Sequence, residues 1–316
     1  GDAYDAGFKA FYAQGGGSVL DAYESQAIAD IKAAAVDLRP VYGAANGADG
    51  YVSLEVSPDL AGDTQGTIAQ AHRLWNAVGE PNLMVKVPGT PEGVPAIRQL
   101  IADGININVT LLFSIEAYQA VAHAWLEGLE ERLEAGLPVD HVASVASFFV
   151  SRIDTQIDKK IDTRIAAGDE HSALLKTLRG KVAIANAKLA YAWYQGMIAG
   201  DRWQRLHSHG ARPQRLLWAS TGVKDPAYPD TLYVSTLIGP DTVNTMPPAT
   251  MDAFRDHGVV AQTLIADVDE ARRVMRDADR LGLDVAGVTA ALVEDGVKQF
   301  ADAFAKLLDA VAGRGH

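Results

Sequence analysis

The stretch NLMVKVPGT, residues 82–90, sets a lysine inside an otherwise apolar strand. Four of the five residues of Leu83–Val87 are apolar, as in a strand with both faces buried, and the fifth is Lys86. Similar apolar runs recur along the chain and alternate with helical patterns, which predicts βαβ units and a parallel sheet. We predict six strands, within 51–56, 82–87, 107–114, 141–150, 215–221 and 236–247.

Polar residues within these strands, or at their ends, distinguish between two kinds of parallel sheet. They are Glu55, Lys86, Asn108, Thr110, Ser147, Ser220 and Asn244. A sheet covered by helices on both faces has no common place for polar side chains from many strands, whereas a barrel has its axis and its C-terminal mouth. We therefore predict an α/β fold, a (β/α)8 TIM barrel in which these side chains meet.

Residues 151–212 are predicted to form a helical insertion between two of the strands. Isoleucine recurs every four residues from Ile153 to Ile165, which indicates the buried stripe of one helix. A second long helix is predicted at about Ser172–Ala199.

The rest of the chain is predicted to belong to the same domain. Residues 267–312 have the pattern of C-terminal helices, so a single barrel domain covers 1–316. Because six strands are two fewer than a (β/α)8 barrel contains, we expect this domain to be N-terminally incomplete, with its first two βα units before Gly1.

The amino-acid composition limits the kinds of molecule that this protein could bind. A chain of 316 residues, 48% of them hydrophobic, can bury a large core, and its net charge of −12 repels nucleic acid. The absence of cysteine excludes disulfides, thiolate metal sites and a cysteine nucleophile. No apolar run approaches the ~20 residues that cross a bilayer, and we expect no signal peptide. We expect no membrane partner and a cytoplasmic location.

Lys86 is the first candidate for chemistry. Desolvation in a barrel disfavours an ammonium, and a neutral lysine can attack a ketone to form a Schiff base, an electron sink for carbon–carbon bond cleavage. The structural alternatives are an ion pair with Glu55, which lies in another apolar strand, or a side chain that reaches water at the strand end. Glu55 could instead hold a water or relay a proton.

Other polar residues follow the same logic. Asn108 and Thr110 are two apart on one strand, so they share a face and suit polyol recognition or water positioning. Arg152 and Lys224 each follow a strand end, where barrel enzymes often bind a substrate phosphate. Hydrogen bonding to nearby backbone and ordinary surface exposure are the respective alternatives.

Two further patterns suggest metal ligands but are better explained otherwise. Asp154, Asp158 and Asp162 recur every four residues and could bind a divalent cation, but we expect them to form the solvated face opposite the isoleucines. His207 and His209 form an HSH motif with no third ligand nearby, so we expect a surface loop. No metal site is predicted.

Four segments, taken together and in order, resemble transaldolases. They are PNLMVKVPGT (81–90), GININVTLLFS (104–114), VASFFVSRID (145–154) and LLWASTGVKDP (216–226). The last segment and its continuation are similar to a subgroup common in actinobacteria and related bacteria. The resemblance covers essentially the whole chain. It implies a TIM barrel of the pentose phosphate pathway, a transferase that moves a dihydroxyacetone unit from a ketose phosphate to an aldose phosphate without a cofactor or metal.

The resemblance also implies roles for individual residues. It makes Lys86 the Schiff-base lysine and Glu55 the residue that holds the catalytic water, with Asn108 and Thr110 beside them. It assigns substrate contacts to Ser147, Phe149, Arg152, Ser220 and Lys224, although the ASTGVK segment departs from the family's phosphate-binding pattern. Sedoheptulose 7-phosphate or fructose 6-phosphate would be the donor, and glyceraldehyde 3-phosphate or erythrose 4-phosphate the acceptor. The family's catalytic aspartate is expected on the first of the strands before Gly1.

Two other functions remain open from the sequence. A fructose 6-phosphate aldolase-like enzyme would release free dihydroxyacetone, but such relatives lack an insertion like 151–212 and many carry tyrosine in place of Phe149. A non-catalytic phosphosugar-binding barrel would have no reason to keep Lys86 and Glu55 together with Asn108 and Thr110. The protein is expected to be a monomer or a homodimer.

Overall fold

The computed structural model describes residues 2–313 as an α/β fold, and the six predicted strands are all present. The strands are β1 (Val52–Glu55), β2 (Leu83–Pro88), β3 (Ile107–Leu112), β4 (Ser144–Phe149), β5 (Arg215–Ala219) and β6 (Thr242–Asn244). The helices are α1 (Asp5–Ala13), α2 (Val19–Ala44), α3 (Thr64–Val78), α4 (Gly93–Ala102), α5 (Ile115–Glu134), α6 (Ser151–Ala166), α7 (Ser172–Leu178), α8 (Val182–Ala199), α9 (Asp201–Ser208), α10 (Leu232–Ser235), α11 (Pro248–His257), α12 (Val268–Arg280) and α13 (Val285–Ala312). None of these helices is long and apolar enough to cross a membrane.

The strands form one sheet in chain order, β1 to β6, and every neighbouring pair is parallel. At least one helix connects each strand to the next. This is the arrangement of consecutive units in a (β/α)8 barrel, as predicted. Within residues 2–313, no strand joins β6 to β1.

The strands are buried because their apolar side chains pack beneath the helices. Val85, Val87, Ile107 and Val109 are completely buried, and such β-branched residues suit a pleated, covered surface. The helices start soon after the strands end: the Ser114 hydroxyl accepts a hydrogen bond from the backbone N–H of Ala117 at the start of α5. Each strand end therefore presents its last side chains at one rim.

The insertion contains four helices where we predicted two long ones. The helix predicted at Ser172–Ala199 is two helices, α7 and α8, because the chain breaks between them. Arg179 has an extended conformation and Gly180 a left-handed one, with φ of 69°. Three residues, Arg179, Gly180 and Lys181, interrupt the apolar pattern at this break, which glycine accommodates at little cost.

The aspartates of α6 correct a second prediction. We expected Asp154 and Asp158 on a solvated face, but they are only 1% and 6% exposed. Asp154 accepts hydrogen bonds from the Tyr233 hydroxyl at 2.7 Å and from the Ala183 backbone N–H at 2.8 Å. Asp158 does the same with Tyr228, at 2.6 Å, and Gly180. The third aspartate of the series, Asp162, is exposed and pairs with Arg179.

Asp154 should make stability depend on pH. Burial raises the pKa of its carboxyl from 3.8 to about 7, so the folded protein holds this proton more tightly than the unfolded chain does. The contribution is therefore most favourable near pH 4 and is lost as the pH rises towards 7. Asp154→Asn removes the titratable carboxyl but can still form hydrogen bonds with Tyr233 and Ala183. The stability of the variant relative to wild type, measured as the free energy of unfolding in urea titrations, should therefore increase as the pH is raised from 5 to 8.

The matched control for this prediction lies two turns along the same helix. Asp162→Asn changes an exposed aspartate and should keep the wild-type dependence of stability on pH over the same interval. A constant difference between Asp154→Asn and wild type from pH 5 to 8 would contradict the prediction.

Candidate active site

Three polar side chains lie side by side on neighbouring strands. In the sheet register Glu55 of β1 is the partner of Lys86 in β2, and Lys86 is the partner of Asn108 in β3. Parallel strands are about 4.8 Å apart and paired residues point to the same face. The register thus forms a row of carboxylate, amine and amide across three strands.

Lys86 is half-buried between fully apolar neighbours, with Val85 and Val87 pointing into the opposite, helix-covered face. Among the described residues it has no salt bridge, so the ion pair with Glu55 that would explain it structurally is not formed. An amine in this position is available to a ligand.

Glu55 is also mostly buried, and its surroundings alter its acidity. Burial raises the pKa of its carboxyl above the ordinary 4.5, while the charge of Lys86 acts in the opposite direction. Glu55 lines a cavity of about 210 Å³ whose walls are mainly apolar side chains of α2, α3 and α13. A carboxyl in this position is suited to transfer protons at a ligand bound to the neighbouring amine.

Asn108 is the centre of a short chain of hydrogen bonds. Its amide nitrogen donates to the Ser53 hydroxyl at 3.1 Å, and its carbonyl oxygen accepts from the Ser147 hydroxyl at 2.7 Å. The chain fixes the direction of the amide. The sequence prediction missed Ser53, although its place two residues before Glu55 puts both side chains on one face of β1.

Thr110 is completely buried, and its hydroxyl has no hydrogen-bond partner among the described residues. It lies at a β-bulge: Val109 pairs with Ala146 and Leu112 with Phe148, so one extra residue of β3 is accommodated between them. A buried hydroxyl without a protein partner is the expected setting for a bound water or a substrate hydroxyl.

Phe149 and Arg152 pack against each other where β4 passes into α6. The guanidinium carbon of Arg152 lies 5.2 Å from the centre of the Phe149 ring. The centres of the Phe149 and Phe113 rings are 5.0 Å apart. Among residues 2–313 Arg152 has no salt bridge, so its planar fork of donors is free to bind an anion.

The model of the family described as Transaldolase/Fructose-6-phosphate aldolase matches residues 1–311. This chain belongs to that family. It is 49% identical over 313 residues to "Transaldolase" of Thermobifida fusca, which covers 99% of this chain and 83% of the relative. It is also 49% identical over 298 residues to "Transaldolase 2" of a Nostoc species, covering 92% of this chain and 78% of the relative.

Two further residues predicted from the family pattern lie after β5. Ser220 has a left-handed backbone, with φ of 54°, and its hydroxyl is 3.0 Å from that of Ser151, the residue before Arg152. Lys224 is exposed and lines a different cavity, of about 350 Å³, with Asp154, Asp158 and other residues of α6. The structure therefore brings Ser220 close to Arg152. Lys224 instead lines the cavity beside α6, which does not include Lys86.

Metal ligation was predicted to be absent from this family member. Among the described residues, no group of three or more histidine, aspartate or glutamate side chains could hold an ion. His207 lies on α9 and not in a loop as predicted, and His209 follows directly after the helix. The three aspartates of α6 have protein partners already: tyrosine hydroxyls and backbone N–H groups for Asp154 and Asp158, and Arg179 for Asp162.

Proposed function

We propose that this chain is a transaldolase, which transfers a dihydroxyacetone unit from a ketose phosphate to an aldose phosphate through a Schiff base on Lys86. The family match and the names of the relatives support the activity. The observation that carries the mechanism is the row of Glu55, Lys86 and Asn108, in which an amine without an ion pair lies beside a carboxyl of raised pKa.

Glu55 and Lys86 share a proton in the first steps. The Glu55 carboxylate accepts a proton from the Lys86 ammonium through a water held by the Thr110 hydroxyl, and the amine attacks the donor's carbonyl carbon. Glu55 then returns the proton to the carbinolamine hydroxyl, which leaves as water and gives the imine. A carboxyl whose pKa is raised by burial is suited to both transfers, since it gives back the proton that it has accepted.

The imine then serves as an electron sink. The bond between C3 and C4 of the donor breaks, a base takes the proton of the C4 hydroxyl, and the electron pair moves into the imine to form an enamine. The first aldose leaves, the acceptor aldose is attacked by the enamine, and hydrolysis frees Lys86. The apolar surroundings of Lys86 keep bulk water from protonating the enamine.

The remaining residues hold the substrate. Asn108 and Ser147 bind sugar hydroxyls through the polar atoms left free by their mutual bond, and Phe149 packs beside the carbon chain. Arg152 binds the phosphate bidentately, Ser220 donates its hydroxyl, and Lys224 adds charge at longer range. The partners are sugar phosphates alone. The enzyme uses no cofactor, resides in the cytoplasm and works as a monomer or homodimer.

Borohydride reduction in the presence of fructose 6-phosphate tests this proposal. The reduced imine should add a dihydroxypropyl group to Lys86, visible by peptide mass spectrometry. A label on another lysine, or none, would refute the mechanism. Free dihydroxyacetone formed at the full rate without an acceptor would indicate an aldolase, and phosphate binding without any trapped adduct would indicate a non-catalytic barrel.

A further inference from the structure

The C-terminal helix α13 has a gap in its buried stripe. Val288, Leu292, Gly296 and Phe300 follow one another every four residues on the face that packs against the core. Three of these residues are large, and the fourth is glycine. Glycine within a helix costs about 1 kcal/mol relative to alanine, so its presence here calls for a reason in the packing.

Leu111 of β3 occupies the gap. A methyl group added to Gly296 would lie 2.8 Å from Cδ2 of Leu111, closer than carbon atoms pack in proteins, and 3.6 Å from Cδ1, an ordinary contact distance. Leu111 is only 2% exposed. The glycine thus lets the helix and this leucine approach each other directly.

Leu111 is the extra residue of the bulge that follows Thr110. Its φ is 61°, a left-handed conformation that costs an L-amino acid roughly 1 kcal/mol or more. Burial of the Leu111 side chain, part of it against α13, offsets the cost of this backbone conformation. The contact with α13 therefore favours the bulged form of β3.

The bulge in turn determines where Thr110 points. The Thr110 carbonyl accepts a hydrogen bond from the Gly89 backbone N–H at 2.8 Å, which ties this residue to the end of β2 just beyond Lys86. The side-chain hydroxyl of Thr110 is the buried group that has no hydrogen-bond partner among the described residues. A rotation of the 110–111 peptide would turn the Thr110 carbonyl away from Gly89 and break this tie to β2, so the bulge helps to hold the residue that carries the hydroxyl.

We propose that Gly296 and Leu111 are positioning residues, through which α13 sets the place of the Thr110 hydroxyl for the catalytic step. The proposal rests on the function proposed above for Thr110. It extends the catalytic apparatus to a helix that follows the last strand by about 40 residues of chain.

Gly296→Ala tests the proposal because the atoms nearest to the added methyl group all belong to Leu111. Alanine favours the helix, but overpacking against the buried leucine opposes this gain, so the melting temperature should change by only a few degrees. The displaced leucine should lower kcat between about tenfold and a hundredfold, with KM for the phosphorylated substrates within a factor of two. Single-turnover borohydride trapping should slow by the same factor as kcat. Gly196→Ala is the matched control: it lies within α8 with open space around it, and kcat should not change.

A double variant identifies the route. The atoms that a methyl group at position 296 would contact are Cγ and the two Cδ atoms of Leu111, and Leu111→Ala removes all three. Adding Gly296→Ala to Leu111→Ala should therefore cause no further loss of kcat. Losses that simply add would overturn the proposal, as would a Gly296→Ala enzyme with wild-type kcat. Wild-type protein that fails to trap an adduct on Lys86 would instead refute the proposed function.

Discussion

Lys86→Met is expected to lower kcat by on the order of 10⁴-fold or more, because the variant has no amine to form the imine. Methionine has a similar length and suits the apolar surroundings of Lys86, so the fold should be retained and the melting temperature level or higher. Transfer from fructose 6-phosphate to erythrose 4-phosphate, followed by a coupled assay, measures the loss. Circular dichroism measures the fold.

Two further variants serve as controls for Lys86→Met. Lys86→Arg keeps the positive charge but cannot act as a nucleophile, so it should be as inactive as the methionine variant. Lys176→Met changes an exposed lysine of α7 and should keep wild-type kcat. An arginine variant that retains one hundredth of the activity would mean that Lys86 acts through its charge and not through a covalent bond.

Glu55→Gln is expected to lower kcat by roughly 10²- to 10³-fold, because the amide can hold a water but cannot exchange a proton with Lys86. In the wild type the carboxylate form starts the reaction, so kcat/KM should fall as the pH drops through the raised pKa of Glu55, above 4.5. The variant should have lost this acidic limb. A pH–rate profile from pH 4.5 to 8 tests both statements.

The control for Glu55 is a glutamate at the surface. Glu92→Gln, in the exposed turn before α4, should keep the wild-type rate and the wild-type acidic limb. If Glu55→Gln keeps the limb as well, then another group titrates there, and Glu55 has no part in the proton transfer.

Periodicity was sufficient to predict the row at the candidate site. Alternation along a strand assigns Lys86 and Val85 to opposite faces, and the parallel register that βαβ units require brings strand-end polar residues to one level. Ser53 was overlooked because a single serine near a strand start has many ordinary explanations. Its partner Asn108 comes from a strand 55 residues later, and no local pattern indicates this bond.

Other features had no local signal at all. A carboxylate on every fourth residue of a helix is typical of a solvated face. The tyrosines that cover Asp154 and Asp158 come from a segment 79 and 70 residues away, respectively. The left-handed leucine at 111 is equally invisible, since leucine seldom adopts that conformation. Only the glycine in the stripe of α13 hints at it, and that hint requires knowing what the helix packs against.

The two buried aspartates of α6 also bear on how this molecule opens. Each joins the helix to a tyrosine of the segment after β5 and to a backbone N–H near the start of α8, Gly180 just before that helix or Ala183 in its first turn. Three segments distant in the chain are thereby held by the same two carboxylates, and none can detach without exposing the bonding groups of the other two. They form one cooperative unit in local unfolding, and Arg152, in the first turn of α6, shares its rigidity.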